Sequence, residues 1–147
     1  WVIDPTAQRV FETRLDDRPQ EFPRHHPGVG LQRHRYGYAS EIFQAGPNLH
    51  GAIIKHDLDR GTTEAHEFGA DRGGAEPVVV PKADGVAEDD VWILTVVYDP
   101  ASDASELCIL DGQDLTGPEV ARIHLPQRVP FGFHGNWVSD NSVPPPS

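Results

Sequence analysis

The chain is poor in sulfur, with no methionine and one cysteine among its 147 residues. A native chain normally begins with methionine, whereas this one begins with Trp1 in a strand-like segment. We therefore expect a piece of a longer protein that lacks its N-terminal part. The single Cys108 excludes an internal disulfide, and its place in the apolar run Leu107–Leu110 predicts a buried thiol. Because no disulfide framework is present, we expect a cytoplasmic location.

Positive charge and long apolar runs are also scarce. The chain has 12 Lys and Arg residues against 23 Asp and Glu residues, which gives a net charge of −11. Phosphate binding needs clustered Lys and Arg, so this balance argues against a nucleic-acid surface. No apolar run approaches the ~20 residues that a membrane helix requires, and we expect no transmembrane segment.

Turn residues are abundant, with 14 glycines and 14 prolines, and they favour short strands over long helices. Strand-like runs recur about every ten residues, which is typical of an all-β sandwich, barrel or propeller. The predicted strands are 1–4, 10–15, 35–39, 51–57, 62–68, 76–81, 91–98, 106–110 and 119–125. The apolar run Val91–Tyr98 predicts a strand buried on both faces. Residues 16–33 are predicted to form a long loop, and the Pro-rich tail 139–147 is predicted to be disordered.

The chain contains eight histidines but no local metal motif such as HExxH or paired cysteines. The histidines are His25, His26, His34, His50, His56, His66, His124 and His134. A nucleophile elbow, a P-loop and a Rossmann glycine motif are absent as well. His56 and His66 lie on either side of the turn at 59–61 and could face each other across a hairpin. One alternative is therefore a small metalloenzyme in which His56, His66 and His124 converge.

His134 differs from the other histidines in its surroundings, because Gly132 and Gly135 flank it in an aromatic segment, Pro130–Trp137. Glycine lets the backbone approach closely, and the aromatic rings offer a dry wall. A neutral imidazole there suits a metal ligand if a carboxylate holds its other nitrogen. Glu76 and Glu21 are the candidate carboxylates, since each directly precedes apolar residues, where burying an unpaired charge is costly. A core histidine bonded to backbone stays an open alternative.

An ordered series of motifs runs along the chain: 21–23 (EFP), 33–38 (RHRYGY), 75–81 (AEPVVVP), 87–90 (AEDD) with Trp92, 97–99 (VYD), 105–107 (SEL), 109–111 (ILD), 120–122 (VAR), and 125–135 with its RVPFGFHG end. Taken together, these segments resemble the C-terminal part of the carotenoid cleavage oxygenase family, which includes the lignostilbene dioxygenases. The series spans nearly the whole chain. Val91 departs from the pattern, since the family usually has glycine there.

The resemblance implies a seven-bladed β-propeller, of which residues 1–138 supply the C-terminal blades. It implies a non-haem Fe(II) held by four histidines, with three glutamates behind them. By motif position His134 is similar to the last iron ligand, and Glu21 and Glu76 resemble two of the glutamates. The remaining ligands are expected upstream of this chain. Phe131 and Phe133 are expected to line the site near the metal.

The resemblance also implies a reaction: a dioxygenase that splits a conjugated C=C bond of a carotenoid, apocarotenoid or stilbene with O₂. We expect the 147 residues alone to be inactive and to hold no stoichiometric iron, because one histidine is too few. Two further alternatives stay open. One is a non-catalytic all-β module that binds a ligand or protein partner, for instance through residues 16–33. The other is a degenerate family member that binds an apolar ligand without cleaving it.

Overall fold

The computed structural model describes residues 1–42, 50–69 and 71–139, and within these ranges the chain is all-β. The strands are β1 (Val2–Asp4), β2 (Arg9–Phe11), β3 (Gln20–Arg24), β4 (Tyr36–Ile42), β5 (His50–Asp57), β6 (Thr62–His66), β7 (Gly73–Gly74), β8 (Val78–Pro81), β9 (Val91–Asp99), β10 (Ala104–Asp111) and β11 (Ala121–His124). One short 3₁₀ helix, Pro27–Val29, is the only helical element in these ranges. The predicted all-β class is confirmed.

The strands form two larger antiparallel sheets and one small hairpin. The first sheet is four-stranded, in the order β3-β4-β5-β6. The second sheet has the order β11-β10-β9, and β7 and β8 both pair with the other side of β9. The hairpin joins β1 and β2, which correspond to the strands predicted at 1–4 and 10–15. In chain order, each larger sheet therefore begins on an edge, at β3 in the first and at β7 and β8 in the second.

The core lies between the two larger sheets. Tyr38 and Ile53 of the first sheet are buried against Ile93 and Leu110 of the second. Cys108 is a fully buried free thiol in the same cluster, which confirms the prediction for this residue. Each apolar side chain buried here stabilises the fold by roughly 1.5–3 kcal/mol.

The outer face of the second sheet differs from the prediction. Val91, Ile93, Thr95 and Val97 of β9 are buried, but the alternate residues from Trp92 to Tyr98 are only half-buried. The expectation that this strand is buried on both faces is thus wrong for the described part of the chain. The reason is that a sheet covers one face of β9, whereas the other face meets the segment 129–137 and, at Trp92, the side chain of Lys82.

Residues 16–33 are not a continuous loop, because β3 pairs with β4 through Gln20, Glu21 and Arg24. The register shifts between Glu21 and Arg24, and Phe22 lies there with a φ of 57°. An edge strand tolerates Pro23, since its missing N–H faces away from the partner strand. The prolines of this segment predict a loop, but backbone pairing to β4 makes residues 20–24 a strand.

Two remaining expectations concern the ends of the chain and membranes. The predicted disorder of the tail 139–147 lies outside the described residues, apart from Ser139. Over the described ranges, no helix combines the length and apolarity needed to cross a bilayer.

Candidate metal centre

Glu76 lies at the break between β7 and β8, just after a backbone that is tightly packed. A Cβ atom on Gly74 would lie 2.8 Å from Phe68 Cε2 and 3.0 Å from Ile53 Cδ1, so the core leaves no room for a side chain. The Ser40 hydroxyl donates a 2.6 Å hydrogen bond to the Gly74 carbonyl. These contacts fix the chain two residues before Glu76, whose exposed fraction is 7%.

His134 and Glu76 form the pair that sequence analysis anticipated. His134 Nδ1 lies 3.1 Å from Glu76 Oε1, and the Gly135 N–H donates a 2.5 Å bond to Oε2. Because an ionised carboxylate only accepts hydrogen bonds, it fixes the proton on Nδ1 and leaves a lone pair on Nε2. Nε2 has no partner among the described residues, and the His134 side chain is 76% exposed. This is the state that a ligating imidazole requires.

Arg24 completes the surroundings of the carboxylate. Its Nε donates to Glu76 Oε1 at 2.8 Å, and its NH2 group donates to the Gly135 carbonyl at 2.7 Å. Burial acts to raise the pKa of Glu76, but the bonds from Arg24, Gly135 and His134 outweigh it and hold that pKa below its usual value. Glu76 is therefore an anion at neutral pH, as the pairing with Nδ1–H requires.

The segment that carries His134 is fastened to the second sheet upstream of the histidine. The Val129 N–H donates to Ser105 Oγ at 3.0 Å. The Arg128 guanidinium lies 4.6 Å from the centre of the Tyr98 ring and 5.4 Å from that of Phe131. The two rings also meet edge to face, with centroids 5.6 Å apart. Favourable contacts of these kinds hold the segment against the sheet.

A groove of about 350 Å³ opens between this segment and the outer face of the second sheet. Its wall is mainly apolar, and His134 and Glu76 lie in its lining. The apolar lining residues include Val78, Leu94, Val96, Tyr98, Leu107, Val129, Phe131, Phe133 and Trp137. Both aromatic residues proposed to line the site, Phe131 and Phe133, are thus in the groove beside His134.

Glu21 is not brought to His134. It lies on β3, opposite Ser40 of β4, and its side chain is exposed. No hydrogen bond to its carboxylate occurs within the described ranges. Glu21 and Glu76 nevertheless share a position in the fold, because each lies on the edge where its sheet begins. Phe22, the next residue along, does reach the site, since its ring meets the His134 ring edge-on at 5.8 Å.

The predicted meeting of His56 and His66 is wrong. In the β5–β6 register His56 lies opposite Thr63, and His66 lies opposite Ile53. The His56 ring bonds Thr63 and Gln20, whereas His66 Nδ1 bonds the Leu115 carbonyl at 2.9 Å. No group of three or more His, Cys, Asp or Glu residues that could hold a metal occurs in the described part. The alternative of a small metalloenzyme built on His56, His66 and His124 is therefore not supported.

His25, His26 and His34 lie close together in the connection between β3 and β4. His26 Nδ1 accepts a 3.0 Å bond from the Gly28 N–H, and the rings of His25 and His34 are 5.2 Å apart. Their local contacts give them structural partners. The His50 side chain lies outside the described residues.

A second histidine–glutamate pair occurs on the opposite edge of the second sheet. His124 Nδ1 lies 2.7 Å from Glu106 Oε1, and the His124 side chain is 79% exposed. Glu106 is also bound by Arg72 and Arg122. Pair geometry alone therefore does not single out His134. What distinguishes His134 is its place in the apolar groove and beside the starting edge strands of both sheets.

Arg24 was missed in the sequence because it was assigned to the loop 16–33. Its partners, Glu76 and Gly135, are far away in the chain. The one local signal was its position directly after the motif at 21–23.

Comparison with known proteins decides the family. A family model described as "Retinal pigment epithelial membrane protein" matches residues 1–139. The chain belongs to the carotenoid cleavage oxygenase family. This family member is 38% identical over 139 residues to an apocarotenoid-15,15'-oxygenase from Synechocystis, covering 94% of the chain and 28% of the relative. It is 33% identical to resveratrol cleavage oxygenase 1 from Aspergillus fumigatus, covering 88% of the chain and 27% of that relative.

Solved structures agree with this assignment. The chain matches cobalt-substituted Synechocystis apocarotenoid oxygenase with a TM-score of 0.84 and 38% identity. It matches a chimera of that enzyme with RPE65 at a TM-score of 0.83 and 32% identity. Each match covers 92% of the chain and 29% of the solved structure. These relatives are β-propellers, so the two sheets are part of a propeller. The chain spans somewhat more than a quarter of its relatives' length.

Proposed function

We propose that residues 1–138 are the C-terminal blades of a non-haem Fe(II) dioxygenase that cleaves a conjugated C=C bond with O₂. The substrate class is a carotenoid, apocarotenoid or stilbene. The observation that carries the proposal is the His134–Glu76 pair, which presents an unpartnered Nε2 beside an apolar groove. Family membership supports the reaction class, since the relatives' names include an apocarotenoid oxygenase and a resveratrol cleavage oxygenase.

The residues present fit an iron ligand. Imidazole suits Fe(II), and a carboxylate behind the ring fixes its orientation and raises its basicity. His134 would supply one ligand, and three further histidines would come from an N-terminal part of the same propeller. Glu21, on the corresponding edge of the first sheet, would hold one of those histidines as Glu76 holds His134. When bound, Fe(II) supplies the redox chemistry that lets O₂ react with an alkene.

Apart from the redox chemistry of the iron, the protein has to bind the apolar substrate and exclude water. One O₂ adds its two atoms to the two carbons of the cleaved bond. This gives two carbonyl products, and no other co-reactant is required. An apolar polyene or stilbene needs an apolar channel, and Phe131 and Phe133 provide such a wall next to His134. We also propose a cytoplasmic location. The buried free thiol of Cys108 suits this compartment, because disulfides are rare there.

A product assay with the full-length protein tests this function. Iron-loaded protein is incubated with an apocarotenoid or a hydroxylated stilbene, and products are identified by mass spectrometry. We expect two carbonyl fragments per molecule of substrate, with turnover abolished in His134→Ala. Substrate binding without any cleavage product would contradict the proposal and favour a non-catalytic binding module.

A further inference from the structure

We propose that Arg24 is a positioning residue of the metal centre: it locks Glu76 to the segment that carries His134. This inference rests on the proposed function. It assigns a task to a residue of the first sheet, although His134 and Glu76 are both attached to the second.

The geometry is a closed ring of hydrogen bonds. Arg24 Nε donates to Glu76 Oε1, Glu76 Oε2 accepts from the Gly135 N–H, and the Gly135 carbonyl accepts from Arg24 NH2. The three distances are 2.8, 2.5 and 2.7 Å. The ring closes on both the carboxylate and the residue directly after His134. Rotation of the carboxylate, or a slide of the segment, would break at least one bond.

Arg24 reaches this position because of the irregularity in β3. The register shift between Glu21 and Arg24, with Phe22 in the left-handed region, re-aims the side chains at this edge of the sheet. Phe22 then lies edge-on to the His134 ring, while Arg24 holds the carboxylate behind it. The irregularity in β3 thus places Phe22 against the His134 ring and Arg24 against the carboxylate that bonds this ring.

The ring of hydrogen bonds depends on the shape of the guanidinium. Its Nε and NH2 groups diverge in a fixed plane, so one side chain can bond a carboxylate and a carbonyl at once. A lysine ammonium carries the same charge but has no rigid fork. Arg24→Lys therefore separates the charge from the geometry, and Arg24→Gln removes both.

The chain offers a matched control for a merely structural ion pair. Arg35 Nε and NH2 bind the two oxygens of Asp57 at 2.9 and 2.5 Å. The side chains of Arg24 and Arg35 are 32% and 33% exposed, and both partners are largely buried. Arg35→Gln removes an equivalent pair that does not involve Glu76, His134 or Gly135.

The experiment measures Co(II) binding by the metal-free full-length protein, using visible d–d absorption for both affinity and ligand geometry. We expect Arg24→Gln to weaken Co(II) binding about 10-fold or more and to change the spectrum, on the scale found for groups behind metal ligands. Arg24→Lys should not restore either property. Arg35→Gln should bind Co(II) as the wild type does, after circular dichroism confirms that each variant is folded.

Three results would overturn the inference: wild-type affinity and spectrum in Arg24→Gln, full rescue by Arg24→Lys, or an equal loss in Arg35→Gln. If Arg24→Gln does not fold, the comparison of Arg24→Lys with the wild type decides the matter alone. Failure of the proposed function is distinguishable, because it shows as missing cleavage products in the product assay, whereas the Arg24 variants are judged by Co(II) affinity and spectrum.

Discussion

In the described part of the chain, each buried carboxylate is bound by a cation. Glu76 is bound by Arg24, and Asp57 is bound by Arg35. Lys55, itself buried, bonds Asp89 at 2.9 Å. An isolated buried charge is costly, and removing one partner leaves the other uncompensated. A chain with a net charge of −11 therefore uses its few cations at the points where acids enter the interior.

The Asp57–Arg35 pair gives a pH-dependent stability. The hydrogen bonds from Arg35 hold the pKa of Asp57 well below its usual value, despite the opposing effect of burial. A carboxyl with a depressed folded-state pKa stabilises the fold above the unfolded-state pKa of ~3.9, and loses this effect as the pH falls through the folded-state value. We expect Asp57→Asn to lower the free energy of unfolding at pH 7 and the gap to the wild type to narrow below about pH 4.

Urea unfolding between pH 7 and pH 3 measures this gap, with Asp17→Asn as the control. Asp17 has an 89% exposed side chain, and its substitution should leave stability nearly unchanged. A gap for Asp57→Asn that is constant over the whole range would contradict the assignment to the ionised carboxylate.

At the scale of elements, the shortest of the described strands packs tightly against the core. Strand β7 contains only Gly73 and Gly74, and the Gly74 backbone lies against buried core side chains. A Cβ atom there would approach Phe68, Ile53 and Thr95 to 3.0 Å or less. Since over-packing a core costs about 1–3 kcal/mol, Gly74→Ala should lower the free energy of unfolding by that amount.

Gly37→Ala is the matched substitution, because a Cβ atom on Gly37 in β4 would meet nothing within 4 Å. Urea denaturation of both variants compares a crowded strand glycine with an open one. Equal stability of Gly74→Ala and Gly37→Ala would show that the β7 backbone can shift away from the core at little cost.

Some strands can be predicted from the local sequence, whereas others depend on contacts between distant segments. The sequence predicts strands β5, β9 and β10, because each is eight or nine residues long and contains an apolar run. The strand predicted at 76–81 begins only at Val78, since Glu76 turns to His134 and Pro77 has no N–H to pair. Strand β3 is not predicted, because it contains Pro23 and mostly polar residues. Its pairing to β4 is a contact between distant segments that local propensity does not record.

At the scale of the whole molecule, the half-exposed outer face of the second sheet has a simple origin. Both faces of β9 are apolar in the sequence, and the chain matches about 29% of the length of propeller relatives. Sheets in a propeller are stacked radially around a central channel, so both faces of a blade can be covered. Within the described residues, one face of Val91–Tyr98 stays half-buried, and the prediction of burial on both faces does not hold there.

The candidate site was predictable to a similar, partial extent. The glycines and aromatics around His134, and the cost of burying Glu76, pointed to both residues from local sequence. The choice between a metal ligand and a core histidine at His134 needed the motif resemblance, and the structural pairing alone does not separate His134 from His124, because each is paired with a buried glutamate. Arg24 could not be predicted, since only folding brings it within 2.8 Å of Glu76.

We expect His134 to bind iron, whereas His124, which is paired with Glu106 in a similar way, does not. The direct measurement is the iron content of the purified full-length protein, determined by atomic emission for the wild type, His134→Ala and His124→Ala. We predict one iron per chain in the wild type and in His124→Ala, and little or none in His134→Ala. Undiminished iron in His134→Ala would contradict the claim.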